Sequence, residues 1–204
     1  MALEREELFH LHAQMRACRR CLDAGYAIVP GAVFSGPASA RVMVIGQAPG
    51  VTESQVKRPF NGTSGTRLFR WLAQAGWEET DFRSRHYMTA VTKCYPGKAR
   101  GGKGDRAPSR AEQKLCRPFL DEELVLVAPR VVLPVGRLAI ELFYGRKFKL
   151  VDVVGTSTQD AQGRWIVPLP HPSGASLWLN RPAHQAQVAE ALSILSRLKQ
   201  ALDL

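Results

Sequence analysis

The sequence predicts an α/β fold, a largely parallel central sheet with helices on both faces. Short, wholly apolar runs of the kind found in strands buried on both sides alternate with segments of helical spacing along the chain. A length of 204 residues with 45% hydrophobic content is enough for one domain with a sizeable core, and no repeat or linker divides it.

Residues 3–16 have helical spacing and lead into a Cys-containing turn, followed by a Gly/Pro-rich stretch to about Ala40. Val42–Ile45 is apolar throughout and ends at Gly46, which predicts the first strand. Residues 66–75, with Leu68, Phe69, Trp71 and Leu72, predict a helix stopped by Gly76. A second strand is predicted over 87–92. Ser109 with Glu112 forms a capping box for a helix reaching about Ala128. Residues 131–135 predict a third strand, 137–144 a helix closed by Gly145, and 165–169 a fourth strand. The last helix follows Pro182, with Val188, Ala191, Leu192, Leu195, Leu198 and Leu202 on one face. In such sheets ligands bind beyond the carboxyl ends of the strands, so the loops after Ile45, Thr92 and Leu169 are where chemistry belongs.

The net charge of +10 is concentrated: between Arg83 and Arg117 ten basic residues face two acidic ones, which is +8 of the total. Clustered Lys and Arg among glycines suit a phosphate backbone, whose counterions they displace. No apolar run is long enough to span a bilayer, and the N-terminus mixes both charges without an apolar stretch. No membrane association is therefore expected, and the cytoplasm is the expected compartment. In that reducing setting the four cysteines are not expected to form disulfides. Cys18 and Cys21 form a C-x2-C pair, and Cys94 and Cys116 flank the basic segment. Four soft thiolates suit either tetrahedral zinc or an iron–sulfur cluster.

Three loops could hold a base. Gly46-Gln47-Ala48-Pro49-Gly50 follows the first strand directly, with Glu53 three residues on. Arg58-Pro59-Phe60-Asn61-Gly62 offers a ring on which a flat base could stack. His171, between Pro170 and Pro172, sits on a stiff loop suited to stabilising a developing anion.

As an ordered set, C-x2-C, G-Q-A-P-G, Glu53, R-P-F-N-G, Y-M-T-A-V-T-K-C, C-R-P-F, V-V-L-P-V-G-R-L-A and H-P-S resemble the uracil-DNA glycosylase superfamily, and within it the iron–sulfur families 4 and 5. The likeness runs from about Cys18 to Ser176. It implies a three-layer α/β sandwich around a central, mainly parallel four-stranded sheet, a [4Fe-4S] cluster on Cys18, Cys21, Cys94 and Cys116, and excision of a flipped-out uracil or other deaminated base from DNA. It further implies that Gln47 and Ala48 line the base pocket and water site, that Phe60 stacks on the base, that Glu53 supports catalysis and that His171 holds the base's carbonyl oxygen. Lys98, Arg100, Lys103, Arg106 and Ser173 are the candidate DNA contacts. The chain departs from family 4 at Ala90, where that family reads the uracil edge with Asn, and from family 5 at Thr63, where that family is acidic. It reads as an intermediate with an open base range. Ala48 stands where the superfamily's first enzymes carry Asp, which keeps a non-catalytic damaged-DNA binder of the same fold as the alternative. A monomer is expected.

Overall fold

A computed structural model describes residues 2–102, 104–174 and 176–204, with the backbone alone at Ala2 and Glu4. Its centre is β1 (Val42–Gly46), every residue of which is buried. β1 pairs in parallel with β2 (Tyr87–Ala90) on one side and with β3 (Val131–Pro134) on the other. β3 pairs in parallel with β5 (Trp165–Ile166), and β4 (Thr158–Gln159) closes the sheet antiparallel to β5, giving the order β2-β1-β3-β5-β4. Among the described residues the sheet therefore has five strands rather than the four expected. The extra strand escaped the sequence because both of its residues are exposed and polar, so no apolar alternation marks it.

Side-chain alternation along the strands splits the core into two layers. Val42 and Val44 of β1, with Met88, Val131 and Leu133, meet Leu68, Phe69 and Leu72 of α4 (Thr63–Gln74) and Val188, Ala191, Leu192 and Leu195 of α9 (Pro182–Leu202). Met43 and Ile45, with Tyr87, Val132 and Ile166, meet Leu8, Leu11 and Met15 of α1 (Ala2–Ala17) and Phe119, Leu120, Leu124 and Val127 of α6 (Arg110–Val127). Helix, sheet and helix form the three layers. The capping box is present: Ser109 Oγ accepts from Glu112 N at 3.3 Å and Glu112 Oε2 accepts from Ser109 N at 2.6 Å.

Shorter helices complete the chain: α2 (Arg20–Asp23), α3 (Val51–Val56), α5 (Glu79–Arg85), α7 (Arg137–Tyr144, over the predicted range) and α8 (Leu150–Val153), with a 3-10 turn at Leu177–Asn180. Three strands are shorter than the apolar runs suggest, β3 by Val135 alone, whose N–H still reaches Ile45 O at 2.8 Å. β2 stops at Ala90, where the chain bends but still donates Val91 N to Gly46 O at 2.9 Å. β5 stops at Ile166, before Pro168, which cannot donate to a ladder; Leu169 N nevertheless reaches Pro134 O at 3.0 Å.

Candidate active site

The strand ends bring the sequence motifs to one edge of the sheet. Gly46 and Ala90 are register partners at the carboxyl ends of β1 and β2, and the loop after β1 is fixed there by Thr92 N donating to Gln47 O at 3.3 Å. Gln47 and Ala48 are half-buried and Ala90 is 7% exposed. A Cβ added at Gly46 would come within 2.9 Å of the tip of the Phe60 ring, so a larger residue there would press on it. The ring thus lies directly against the backbone from which Gln47 and Ala48 spring.

Phe60 holds a left-handed backbone, φ +49°, which is strained for an aromatic residue and must be imposed from outside. Two side chains impose it. Glu53 accepts from Asn61 N at 2.9 Å, Gly62 N at 2.7 Å and Gly50 N at 3.1 Å, tying the Phe60 loop to the loop after β1. Arg83 of α5 donates to Pro59 O and Phe60 O, both at 2.8 Å, with its guanidinium 4.1 Å from the Phe69 ring centre and Glu79 at 2.8 Å. Gly65 leaves room for this turn: a Cβ there would collide with the Phe60 carbonyl. Charge counting places Arg83 in the surface surplus, whereas its side chain is 11% exposed and braces the loop. Arg83→Gln is therefore expected to destabilise the fold by about 1.5–3 kcal/mol, the range for a charged hydrogen-bonding group; urea unfolding measures this.

His171 follows the strand extension that pairs Leu169 with Val135. Its ring packs on Gly136, where a Cβ would approach Cδ2 to 3.1 Å. Ser173 N donates to Nδ1 at 3.2 Å, and burial alone moves the imidazole pKa below its ordinary value. A neutral ring accepting at Nδ1 carries its proton on Nε2, which makes it a directed donor. Arg67 holds the same loop from α4 by donating to Ser173 O at 3.4 Å. In the following 3-10 turn Leu177 projects, 76% exposed, while Trp178 stacks on His184 at 4.1 Å.

Cys18, Cys21, Cys94 and Cys116 line a single pocket with apolar neighbours such as Met15 and Phe119. They come from the α1–α2 turn, α2, the segment after β2, and α6. The Cys21 and Cys94 thiols are pushed up to about 11, chiefly by burial and then by the other thiols, with Cys116 above its usual value for the same leading reason. Among the described residues no three His, Cys, Asp or Glu side chains stand at metal-coordinating distance. The donor set itself fits a thiophilic metal or cluster, since a cation would discharge thiolates that otherwise repel one another in a dry site.

Behind β2 lies a polar network that sequence reading missed. Lys93 Nζ and Glu123 Oε2 pair at 2.6 Å with side chains 3% and 0% exposed. Glu123 also accepts from Tyr87 Oη at 3.0 Å and from Thr89 Oγ1 at 3.0 Å; His12 Nε2 reaches Tyr87 Oη at 2.7 Å. Lys93 further donates to Ala90 O at 2.7 Å, and its backbone N–H points at Cys116 Sγ, 3.3 Å away. One residue thereby joins the end of β2 to the cysteine pocket. Burial and Glu123 drive the Tyr87 hydroxyl pKa well up, which keeps it a donor.

The basic segment is accordingly less free than its charge count implies. Lys93 is internal, and Arg106 makes a two-pronged pair with buried Glu112 at 2.6 and 2.7 Å. Lys98 pairs with Asp105 at 3.2 Å across a small hairpin, Arg100 is exposed, and Lys103 lies outside the described residues.

Fold and site together define an α/β protein whose candidate site is assembled from loops at the carboxyl ends of a parallel sheet. The family model described as "Uracil DNA glycosylase superfamily" matches residues 33–193, and the chain belongs to that superfamily. It is 31% identical to a Type-4 uracil-DNA glycosylase of Pyrobaculum aerophilum over 75% of this chain and 74% of the relative. It is 29% identical to a Type-4 uracil-DNA glycosylase of Thermotoga maritima over 83% of each. A Type-5 uracil-DNA glycosylase of Pyrobaculum aerophilum is 35% identical over 51% of this chain and 48% of that one, so the chain stands between the two types, as its motifs do.

Proposed function

We propose that this DNA glycosylase binds DNA containing a deaminated base, flips the base out and hydrolyses its N-glycosidic bond, leaving an abasic site. The observation that carries the reading is His171, a neutral imidazole with Nδ1 occupied by Ser173 N–H and its remaining proton on Nε2. As the bond to the sugar breaks, negative charge builds on the departing base, and the Nε2–H donates to the base's carbonyl oxygen. Phe60, braced by Glu53 and Arg83, stacks on the base; Gln47 and the backbone at Ala48 line its edge and the attacking water; Ala90, in place of an amide, leaves the far edge open to bases other than uracil. Glu53 supports the reaction by holding the two loops together. Leu177 is the side chain suited to fill the gap left by the flipped nucleotide.

Cys18, Cys21, Cys94 and Cys116 would hold the [4Fe-4S] cluster, which when bound staples the N-terminal helix to the root of the basic loop. Iron without zinc in the purified protein, with a visible absorption band, is the expected composition. The chain is read as a cytoplasmic monomer acting on DNA, with Ser173 and the exposed Lys98 and Arg100 of the basic loop against phosphates, while Arg106, committed to Glu112, anchors the loop's root. Neutralising Lys98, Arg100 and Lys103 is expected to lower the salt dependence of DNA binding, by a slope of about 0.9 for each phosphate that is no longer neutralised. An unchanged slope would leave the loop as solvated surface.

The decisive experiment incubates the protein with oligonucleotides containing uracil, hypoxanthine, xanthine or mismatched thymine and reveals abasic sites with alkali. Cleavage at one or more lesions is expected. Lesion-selective gel shifts with no cleavage anywhere would instead favour the non-catalytic binder that Ala48 and Ala90 leave open.

A further inference from the structure

Ala48 leaves the loop after β1 without a carboxylate of its own, yet two carboxylates reach that loop from elsewhere. A Cβ built on Gly50 would lie 2.8 Å from Glu53 Oε2 and 3.1 Å from Asp105 Oδ2. They are not equivalent. Glu53 has both oxygens committed to backbone amides, Oε1 to Asn61 and Gly62 and Oε2 to Gly50. A carboxylate saturated in this way is a brace, its bonds spent on holding Phe60 in place. Asp105 is held by one oxygen: Oδ1 accepts from Tyr95 Oη at 2.7 Å and from Lys98 Nζ at 3.2 Å. Oδ2 has no hydrogen-bond partner among the described residues and is the oxygen turned toward Gly50.

The loop that carries Asp105 is built to deliver it. Lys98 and Asp105 are paired across an antiparallel bridge, and Ala99 N donates to Gly104 O at 3.1 Å and Arg106 N to Gly97 O at 3.0 Å, closing a hairpin. The hairpin's base is anchored on one strand by Tyr95, 5% exposed, and on the other by the Arg106–Glu112 pair. At 33% side-chain exposure Asp105 remains open to water.

We infer that Asp105 is the general base of the excision reaction, supplied by the basic hairpin in place of a carboxylate on the loop after β1. The inference rests on the glycosylase reading. In the step, water oxygen bonds to the sugar's anomeric carbon as the carbon–nitrogen bond breaks. The bonding electrons leave with the base, whose oxygen takes the hydrogen bond from His171, and the water's proton passes to Asp105 Oδ2 and then to solvent. The hairpin thus acquires two tasks, charge for phosphates and a base for water.

The test uses the full-length protein with a uracil-containing oligonucleotide under single-turnover conditions, comparing wild type, Asp105→Asn and Asp105→Ala. Asp105→Asn keeps the shape of the side chain and its acceptor for Tyr95 and Lys98 but cannot take a proton. It is expected to lose about 100-fold or more in rate, the usual worth of a general base, with the dissociation constant for the oligonucleotide unchanged. Added formate is expected to restore part of the rate to Asp105→Ala, which a merely structural role would not allow. Wild-type excision with an equally fast Asp105→Asn variant overturns this inference alone. A slower Asp105→Asn variant that also binds DNA more weakly, with no rescue by formate in Asp105→Ala, overturns it in favour of a latch. No excision by wild type on any lesion overturns the glycosylase reading and this one with it.

Discussion

His171→Ala is expected to slow base release by about 10²–10³-fold at saturating enzyme, the loss that follows removal of one donor aimed at a developing oxyanion. In the proposed mechanism the ring would contribute a hydrogen bond that strengthens as charge accumulates on the departing base, so the loss is expected on the chemical step with DNA affinity largely kept. The pH dependence separates this from a cationic role. Burial holds the His171 pKa below the ordinary histidine value, so the neutral ring is already the main form at pH 6.5 and above. Wild-type single-turnover rates are therefore expected to show no His171 inflection near pH 6.5. A rate that climbs as pH falls through 6.5, and does so only with His171 present, would mean that an imidazolium is the active form.

The second large effect lies behind the site. Lys93→Ala is expected to cost about 3–5 kcal/mol of stability, because it strands Glu123, 0% exposed, as a buried charge whose remaining partners among the described residues are the Tyr87 and Thr89 hydroxyls. Pairing Lys93→Met with Glu123→Gln removes both charges and should cost less than the two single changes summed. Urea unfolding of the four proteins closes the cycle, and strict additivity would show that the two groups do not interact. Lys93→Ala also releases the Ala90 carbonyl, which loosens the end of β2 just where a base edge would be read.

Acid acts on the same fold through two other groups. Burial lowers His12 and His86 to about 4 each, so between pH 6.5 and 4 the unfolded chain binds protons that the folded chain refuses. Stability is expected to fall as pH drops through that window.

What the sequence made legible and what it hid divide along physical lines. Strands β1 and β3 announced themselves because burial on both faces demands an unbroken apolar run, and Ser109 with Glu112 announced α6 because a capping box is a local pattern. The cysteine set, Phe60 and His171 were readable as residue types in ordered motifs, and the strand ends gather the last two at the edge where the loops meet. The supports were not readable. Arg83 and Lys93 look like surface charge in a composition count, and only the fold reveals that one clamps two carbonyls and the other pairs with a carboxylate 30 positions away. Asp105 likewise counted only as one of two negative charges in a positive stretch. Burial and long-range partners decide such roles, and neither is a property of a local pattern.

β4, the strand without an apolar signature, bears on how the molecule behaves in a crowd. A sheet edge with a long row of unpaired amides and carbonyls invites another chain to add itself. Here the last strand on that side is two residues long, and Arg164 and Asp160 join at 2.7 Å beside it. At the opposite edge Ser35 exchanges hydrogen bonds with Met88 at 2.7 and 2.9 Å, so β2 is already covered by its own chain. Both margins are blunted against self-templated growth, which leaves a concentrated solution of this basic protein little means of zipping into fibrils through its sheet.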